Sequence, residues 1–344
     1  MSPTTMMIIT SSLATGTIIT ASSYHWLLAW VGLELNTLAI LPMISKYHHP
    51  RATEAATKYF LTQAAASALI LFSSTLNAWQ TGTWNITQPN NTTSSILLTA
   101  ALAMKLGLVP MHFWLPEVLQ GSSMKTALII STWQKLAPMA LIYLTSNTLS
   151  TTILLLMATL STIIGGWGGL NQTQLRKIMA FSSIAHIGWM AAISTISENI
   201  LTLNLMLYLL MTTSTFSALI LSKSKTIKDT STSLTTSTTL TIMMMLMLLS
   251  LGGLPPLTGF LPKWLVLKEL TMQGLLIIST TLAMSSLLSL FFYLRLSYTT
   301  TLTLAPNTLL MKHKWRFKPM SKTLLMSTST PLALMLLPMT PLML

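Results

Sequence analysis

The segment 253–263 reads GLPPLTGFLPK and places three prolines, two glycines and a lysine behind a long apolar run. A related segment, GLVPMHFWLPE, occupies residues 107–117, at an offset of 146 positions. The identical pairs are Gly107 with Gly253, Leu108 with Leu254, Pro110 with Pro256, Leu115 with Leu261, and Pro116 with Pro262. Because glycine and proline both interrupt helices, the pattern predicts one kind of helix break that is used twice.

The composition excludes an ordinary soluble domain. Of the 344 residues, 51% are apolar and only 7% are charged, against about 25% charged residues in soluble domains. The chain has no cysteine, which excludes disulfides, thiolate catalysis and cysteine-ligated iron–sulfur clusters. The first charged residue is Glu34, so no cleavable signal peptide is expected. The excess of Thr and Met is typical of proteins encoded in animal mitochondria.

Segments of about twenty uncharged residues recur along the chain, which is the length that a helix needs to cross a bilayer. They predict an all-α polytopic membrane protein, with no nucleic-acid partner. Eleven spans are expected, at about 3–22, 24–44, 55–79, 95–116, 126–146, 149–170, 175–195, 199–222, 238–267, 274–298 and 323–344.

Loop charges indicate how these spans are oriented, because basic residues stay on the side from which the chain inserts. Loops after even-numbered spans hold thirteen basic residues, namely Lys46, Arg51, Lys125, Arg176, Lys177, Lys223, Lys225, Lys228, Lys312, Lys314, Arg316, Lys318 and Lys322. Loops after odd-numbered spans hold Lys268, with Lys263 at the edge. The N-terminus is therefore expected on the basic side. The basic run 312–318 either binds anionic lipid head groups or only sets the orientation.

The two broken segments lie in spans four and nine, which cross the membrane in opposite directions. Matching segments of opposite direction are typical of inverted-topology repeats. We expect repeats at 1–146 and 149–298, with a C-terminal helix at 323–344 outside them.

Five prolines are expected to produce the breaks: Pro110, Pro116, Pro255, Pro256 and Pro262. Each proline lacks the N–H that would bond the carbonyl four residues earlier. The carbonyls expected to be free are those of Leu106, His112, Gly252 and Thr258. In hydrocarbon such carbonyls must be covered by protein or water. The alternative is an ordinary proline kink, which membrane helices tolerate.

Three charged residues fall at the centres of predicted spans: Glu34, Lys105 and Lys135. A charge there costs about 2.5–3.5 kcal/mol on insertion scales, so it usually serves a function. Lys263 follows the second break, although a lysine near a span end can also extend to the interface. The two further candidates are His112 and His186, but a lone histidine in an apolar helix is also commonly a packing residue.

One acid among several lysines suggests a proton relay. At about 4 Å and an effective dielectric near 20, Glu34 and Lys105 would interact by roughly 4 kcal/mol, so separating them would release the lysine's proton to a neighbour such as Lys135. The alternative is a static ion pair that fixes packing. The sequence shows no nucleotide-binding motif and no histidine pair suited to haem, so a partner would have to drive uphill proton movement.

Four motifs together resemble the antiporter-like membrane subunits of respiratory complex I, which are similar to subunits of multisubunit sodium/proton antiporters. The motifs are WVGLELNTLAILPM at 30–43, GLVPMHFWLPEV at 107–118, STWQKLAP at 131–138 and GGLPPLTGFLPKW at 252–264. The resemblance implies that Glu34 and Lys105 are the family's glutamate–lysine pair. It also implies that Lys135 is the central lysine and that Lys263 is the terminal one.

The resemblance further implies a proton-translocating subunit in the mitochondrial inner membrane, with its N-terminus in the matrix and its C-terminus in the intermembrane space. No cofactor is expected on this chain; NADH, FMN, iron–sulfur clusters and ubiquinone would belong to partner subunits. The expected partners are membrane-arm subunits, including antiporter-like siblings, and phospholipids such as cardiolipin. Bacterial relatives have fourteen helices, so three are expected to be missing here. The rival functions are a stand-alone sodium/proton antiporter and an assembly scaffold.

Overall fold

The computed structural model describes residues 2–88, 91–301 and 323–338. These residues are overwhelmingly α-helical, as predicted, and the helices are α1 Pro3–Ser22, α2 Trp26–Ile44, α3 Pro50–Thr81, α4 Thr92–Leu106, α5 Trp114–Gly121, α6 Met124–Ser131, α7 Trp133–Leu144, α8 Thr151–Gly169, α9 Leu175–Ile193, α10 Glu198–Ser222, α11 Ile227–Thr236, α12 Thr238–Gly252, α13 Phe260–Met272, α14 Leu276–Thr300 and α15 Leu324–Met335.

Every predicted span falls on helix, and three of the spans are divided in two. Spans four, five and nine correspond to α4 with α5, α6 with α7, and α12 with α13. Within the described ranges, seven helical stretches are long and apolar enough to cross a membrane: Pro3–Ser22, Trp26–Ile44, Pro50–Thr81, Met124–Leu144 (α6 together with α7), Thr151–Gly169, Glu198–Ser222 and Leu276–Thr300. The number of crossings, eleven, stays a prediction. Lys312, Lys314, Arg316, Lys318, Lys322 and residues 339–344 lie outside the described residues.

The chain divides into two compact units. The first comprises residues 1–161 and 194–198, and the second comprises residues 162–193 and 199–344. In the first unit, α3 packs against α2, α4 and α5, and α7 packs against α1, α2 and α4. Helices α2, α3, α4 and α7 therefore surround a common interior, which contains the first candidate site.

Helix α14 is the centre of packing in the second unit. It contacts α9, α11, α12 and α13, and α13 also contacts α9. This arrangement brings residues of α9, α13 and α14 together around the second break.

Both breaks begin at a glycine. Gly107 and Gly253 each have φ +79°, a left-handed conformation that glycine adopts at little cost. The amides of Gly107 and Leu108 both bond the Ala103 carbonyl at 2.9 Å. In the second break, the Gly253 amide bonds the Ser250 carbonyl at 2.9 Å. The glycine at the end of each first half-helix, rather than a proline, therefore terminates it.

Pro116 and Pro262 have a different role from the one expected. Each is the third residue of the second half-helix, in α5 or α13, where the missing N–H would have no intrahelical partner. The carbonyls of His112 and Thr258, expected to be free, accept the amides of Leu115 at 3.1 Å and Leu261 at 3.2 Å. The expectation for these two carbonyls was wrong, because the chain forms a tighter turn as each second half-helix begins.

Candidate functional site

Lys105 lies directly at the first break. It is the penultimate residue of α4, which ends at Leu106, so the centre of predicted span four coincides with the start of the break. Its side chain is buried, and its Nζ has no protein hydrogen-bond partner among the described residues. A buried ammonium without a partner is costly. The protonation of Lys105 should therefore respond to changes in the charges and the water around it.

Glu34 lies in the middle of α2 and has a buried Oε2 without a hydrogen-bond partner among the described residues. A charge on Glu34 would interact with Lys105 and with Tyr59. Within the described residues, however, the two ion pairs closer than 4.0 Å both belong to Lys58. Glu34 and Lys105 are therefore electrostatic neighbours without being a contact pair, and the static ion pair considered from the sequence is not formed.

Lys135, on α7, is 1% exposed. Its Nζ donates a hydrogen bond to the Leu106 carbonyl, one of the carbonyls that the sequence predicts to be free of the backbone ladder. The same Nζ lies 5.3 Å from the centroid of the Trp114 ring. The first break is therefore capped by a lysine from another helix.

Lys105 and Lys135 line one narrow cavity with about 10 Å³ of space accessible to water, which is room for about one water molecule. The lining residues are Leu33, Asn36, Thr37, Tyr59, Gln63, Lys105, Trp114, Gln134, Lys135 and Pro138. Gln134 Nε2 donates to the Asn36 carbonyl at 3.0 Å and to the Tyr59 hydroxyl at 3.1 Å. A polar lining of this kind suits ordered water, which needs two to four polar partners.

The polar residues of this cavity were missed by the sequence reasoning. Asn36, Tyr59, Gln63 and Gln134 are neutral, and neutral polar residues are frequent in this Thr- and Ser-rich chain. Asn36 Nδ2 and Gln63 Nε2 are buried without a partner among the described residues. Only the positions of Asn36 and Gln134 inside quoted motifs could have indicated them.

The second unit repeats the contact between a lysine and a break. Lys263 Nζ donates to the Gly252 carbonyl at 2.9 Å, and its side chain crosses the face of Gly253. Leu106 and Gly252 are 146 positions apart, so the same carbonyl of each repeated segment accepts a lysine. The donors differ, because Lys135 comes from a neighbouring helix and Lys263 comes from the second half of the broken helix itself.

His186, on α9, lies close enough to Lys263 for the charge of the lysine to act on it. Its Nε2 is 3.5 Å from the hydroxyl of Tyr293, and its ring centroid is 5.7 Å from that of Tyr208. Both tyrosines are buried. The second unit thus holds Lys263, His186 and two tyrosines in one cluster.

His112 is also buried, but it makes its contacts within the first break. Its Nδ1 is 3.3 Å from the Pro110 carbonyl, and its ring packs on Phe113 with centroids 4.2 Å apart. It is not part of the cavity lining.

Comparisons with known proteins agree with this arrangement. Residues 23–289 match the family described as "NADH:quinone oxidoreductase/Mrp antiporter, TM", and residues 290–344 match "NADH dehydrogenase subunit 2 C-terminus". NADH-ubiquinone oxidoreductase chain 2 of Varanus timorensis is 58% identical over 343 residues, covering 100% of this chain and 99% of the relative. The chain belongs to the NADH-ubiquinone oxidoreductase chain 2 family. The protein of that name from Squalus acanthias is 54% identical over 341 residues, covering 99% of this chain and 98% of the relative.

Solved structures extend the likeness to the fold. A chain of respiratory complex I from Thermus thermophilus has a TM-score of 0.80 and 27% identity, covering 96% of this chain and 78% of that one. A chain of the Mrp complex from Dietzia sp. has a TM-score of 0.77 at 18% identity, covering 86% and 60%; this match concerns the fold alone. As a member of this family, the chain is a proton-translocating membrane-arm subunit of complex I, a multi-pass protein of the mitochondrial inner membrane.

Proposed function

We propose that protons cross this subunit by way of Glu34, Lys105 and Lys135. The observation that carries the proposal is that Lys105 and Lys135 line one polar cavity, both buried and neither within 4.0 Å of a carboxylate among the described residues. Burying a charge without a counter-charge is expensive. Each lysine can therefore exchange its proton with modest changes in its surroundings, as a relay requires.

The three residues have different roles in this relay. Glu34 acts on Lys105 from a distance, so a movement of α2 toward or away from α4 changes how well Lys105 holds its proton. Lys105 Nζ, which has no hydrogen-bond partner among the described residues, releases the proton to water in the cavity. Lys135 receives it, and the Leu106 carbonyl stabilises the resulting ammonium.

In the second unit, we assign Lys263 and His186 to a further station of the relay. The support is the contact of Lys263 with the Gly252 carbonyl and the electrostatic influence of Lys263 on His186. We also propose that 1–146 and 149–298 are inverted repeats, which would place both stations at equivalent breaks. His112 is left out because its contacts stay within its own break.

The two rival functions find less support. A scaffold whose buried charges only fix packing would be expected to pair Glu34 with a lysine, and no such ion pair occurs among the described residues. A stand-alone antiporter is favoured by no specific contact, since the likeness to the Mrp chain concerns only the fold.

The drive for proton movement is assigned to partner subunits. We propose that NADH, FMN, iron–sulfur clusters and ubiquinone are bound there, and that antiporter-like siblings and cardiolipin contact this chain in the membrane arm. We place the N-terminus in the matrix and the C-terminus in the intermembrane space, because basic residues accumulate in alternate loops.

The test replaces Lys105 or Lys135 by methionine in the assembled complex. Methionine keeps an apolar stem and removes the charge, so native gels should show normal amounts of complex, while coupled quinone reduction and proton uptake should fall. Lys268→Met is the matched control, because Lys268 is an exposed lysine of α13. Normal pumping by both Lys105→Met and Lys135→Met in assembled complex would refute the relay and favour the scaffold.

A further inference from the structure

Trp114 connects three parts of the first unit. It is the first residue of α5, and it is buried. Its Nε1 donates to the Met104 carbonyl at 3.2 Å, which joins the second half of the broken helix to the end of the first half. Its ring meets Tyr59 edge-on, with centroids 5.8 Å apart and planes at 65°.

The same ring faces the ammonium of Lys135, with Nζ 5.3 Å from its centroid. Among the described residues, the polar contact of that Nζ is the Leu106 carbonyl, and no carboxylate lies within 4.0 Å. An aromatic face attracts a cation at this distance, and tryptophan does so more strongly than tyrosine or phenylalanine. The ring therefore supplies stabilisation that a counter-charge would otherwise give.

We propose that Trp114 is a positioning residue for proton transfer at Lys135. Its indole face holds the Lys135 ammonium beside the break, while its N–H keeps the two half-helices in the register that presents the Leu106 carbonyl. The proposal rests on the proposed role of Lys135 in the relay. The equivalent residue of the other break is Phe260, which has no N–H to donate; there the lysine belongs to the second half-helix itself.

The simpler interpretation is that Trp114 only fills space. In that case any large apolar side chain would replace it, and the effect of a substitution would not depend on Lys135. Two comparisons separate the interpretations. The first compares the activity of Trp114→Phe with that of Trp114→Leu, and the second compares the effect of each variant in the parent with its effect in Lys135→Met.

The experiment measures coupled quinone reduction and proton uptake per NADH in membrane vesicles that contain the assembled complex, with native gels to quantify assembly. For Trp114→Leu we expect coupled quinone reduction to fall roughly two- to thirtyfold, the range expected when a cation–π contact is lost. Trp114→Phe keeps a ring and should retain intermediate activity. Trp79→Leu, at a tryptophan that is 85% exposed, should match the parent.

A double variant decides the mechanism. Lys135→Met combined with Trp114→Leu should be no slower than Lys135→Met alone, because the two residues act as one unit. Parent activity in Trp114→Leu, equal losses in Trp114→Phe and Trp114→Leu, or additive losses in the double variant would each overturn the proposal. If Trp114→Leu does not assemble, Trp114→Phe decides: a partial loss that disappears in the Lys135→Met background supports the proposal, and parent activity overturns it. Normal pumping by Lys135→Met would instead refute the relay role of Lys135.

Discussion

Replacing Gly253 by alanine should uncouple Lys263 from the second break. Gly253 has φ +79°, and an alanine in this left-handed region costs about 1–2 kcal/mol. Its Cβ would also lie 2.9 Å from Lys263 Nζ and 3.0 Å from Cε and Cδ. The flexible lysine moves more easily than the backbone, so we expect it to leave the Gly252 carbonyl. Losing a hydrogen bond from a charged donor adds about 1.5–3 kcal/mol.

The chain offers a matched control for the backbone strain. Gly274 has φ +75°, and a Cβ there would meet no atom within 4 Å, so Gly274→Ala should show the strain alone. The lost hydrogen bond makes Gly253→Ala less stable than Gly274→Ala by about 1.5–3 kcal/mol. At a fixed temperature, Gly253→Ala should therefore inactivate roughly ten- to 150-fold faster than Gly274→Ala. It should also lose coupled quinone reduction, which Gly274→Ala should keep. Equal inactivation rates and equal pumping in the two variants would refute the role assigned to the Lys263–Gly252 contact.

Three further predictions concern orientation, pairing and pH. Because the chain has no cysteine, single cysteines at the exposed positions Thr92 and Lys225 should be labelled from opposite faces; labelling from one face would contradict the topology. The double variant Glu34→Gln, Lys105→Met should lose much less proton pumping than the sum of the losses in the two single variants, because the residues act as one unit. Losses that add would show that the two residues act independently. Burial alone would raise the pKa of the Asp229 carboxyl group. The backbone amides of Lys225 and Thr226 donate hydrogen bonds to its carboxylate, and this stabilisation is larger, so the pKa lies below its usual 3.8. Asp229→Asn should therefore destabilise the chain by about 1 kcal/mol at neutral pH, a difference that should vanish as the pH falls through the folded-state pKa; a pH-independent difference in denaturation would contradict this.

The helices and breaks could be predicted because their causes are local. A glycine that ends a helix and a proline that cannot donate act within a few residues of their own positions, so the free carbonyls of Leu106 and Gly252 were predictable. The partners of those carbonyls were not. Lys135 reaches Leu106 from 29 positions away, and that contact depends on how α7 packs against α4.

The charged residues of the candidate site could be predicted from the sequence, but the distances between them could not. A charge inside an apolar span is visible in any sequence, which is why Glu34, Lys105 and Lys135 were identified. Whether Glu34 touches Lys105 depends on the spacing of α2 and α4, and among the described residues the two side chains form no ion pair within 4.0 Å. The neutral side chains of Tyr59 and Gln134 give no local signal, because they form a polar lining only where residues of five helices meet around the cavity.

The close approach of α1 and α2 limits which side chains position 16 can accept. A Cβ at Gly16 would lie 2.9 Å from the Gly32 carbonyl and 2.5 Å from Asn36 Oδ1, and Asn36 lines the cavity of Lys105 and Lys135. Helix α1 contributes no residue to that lining. A side chain added at position 16 would nevertheless press on Asn36, so a substitution in a helix with no charged residue should lower proton uptake if protons pass by the proposed relay. A substitution at Gly16 thus acts through the spacing of two helices and changes no charge.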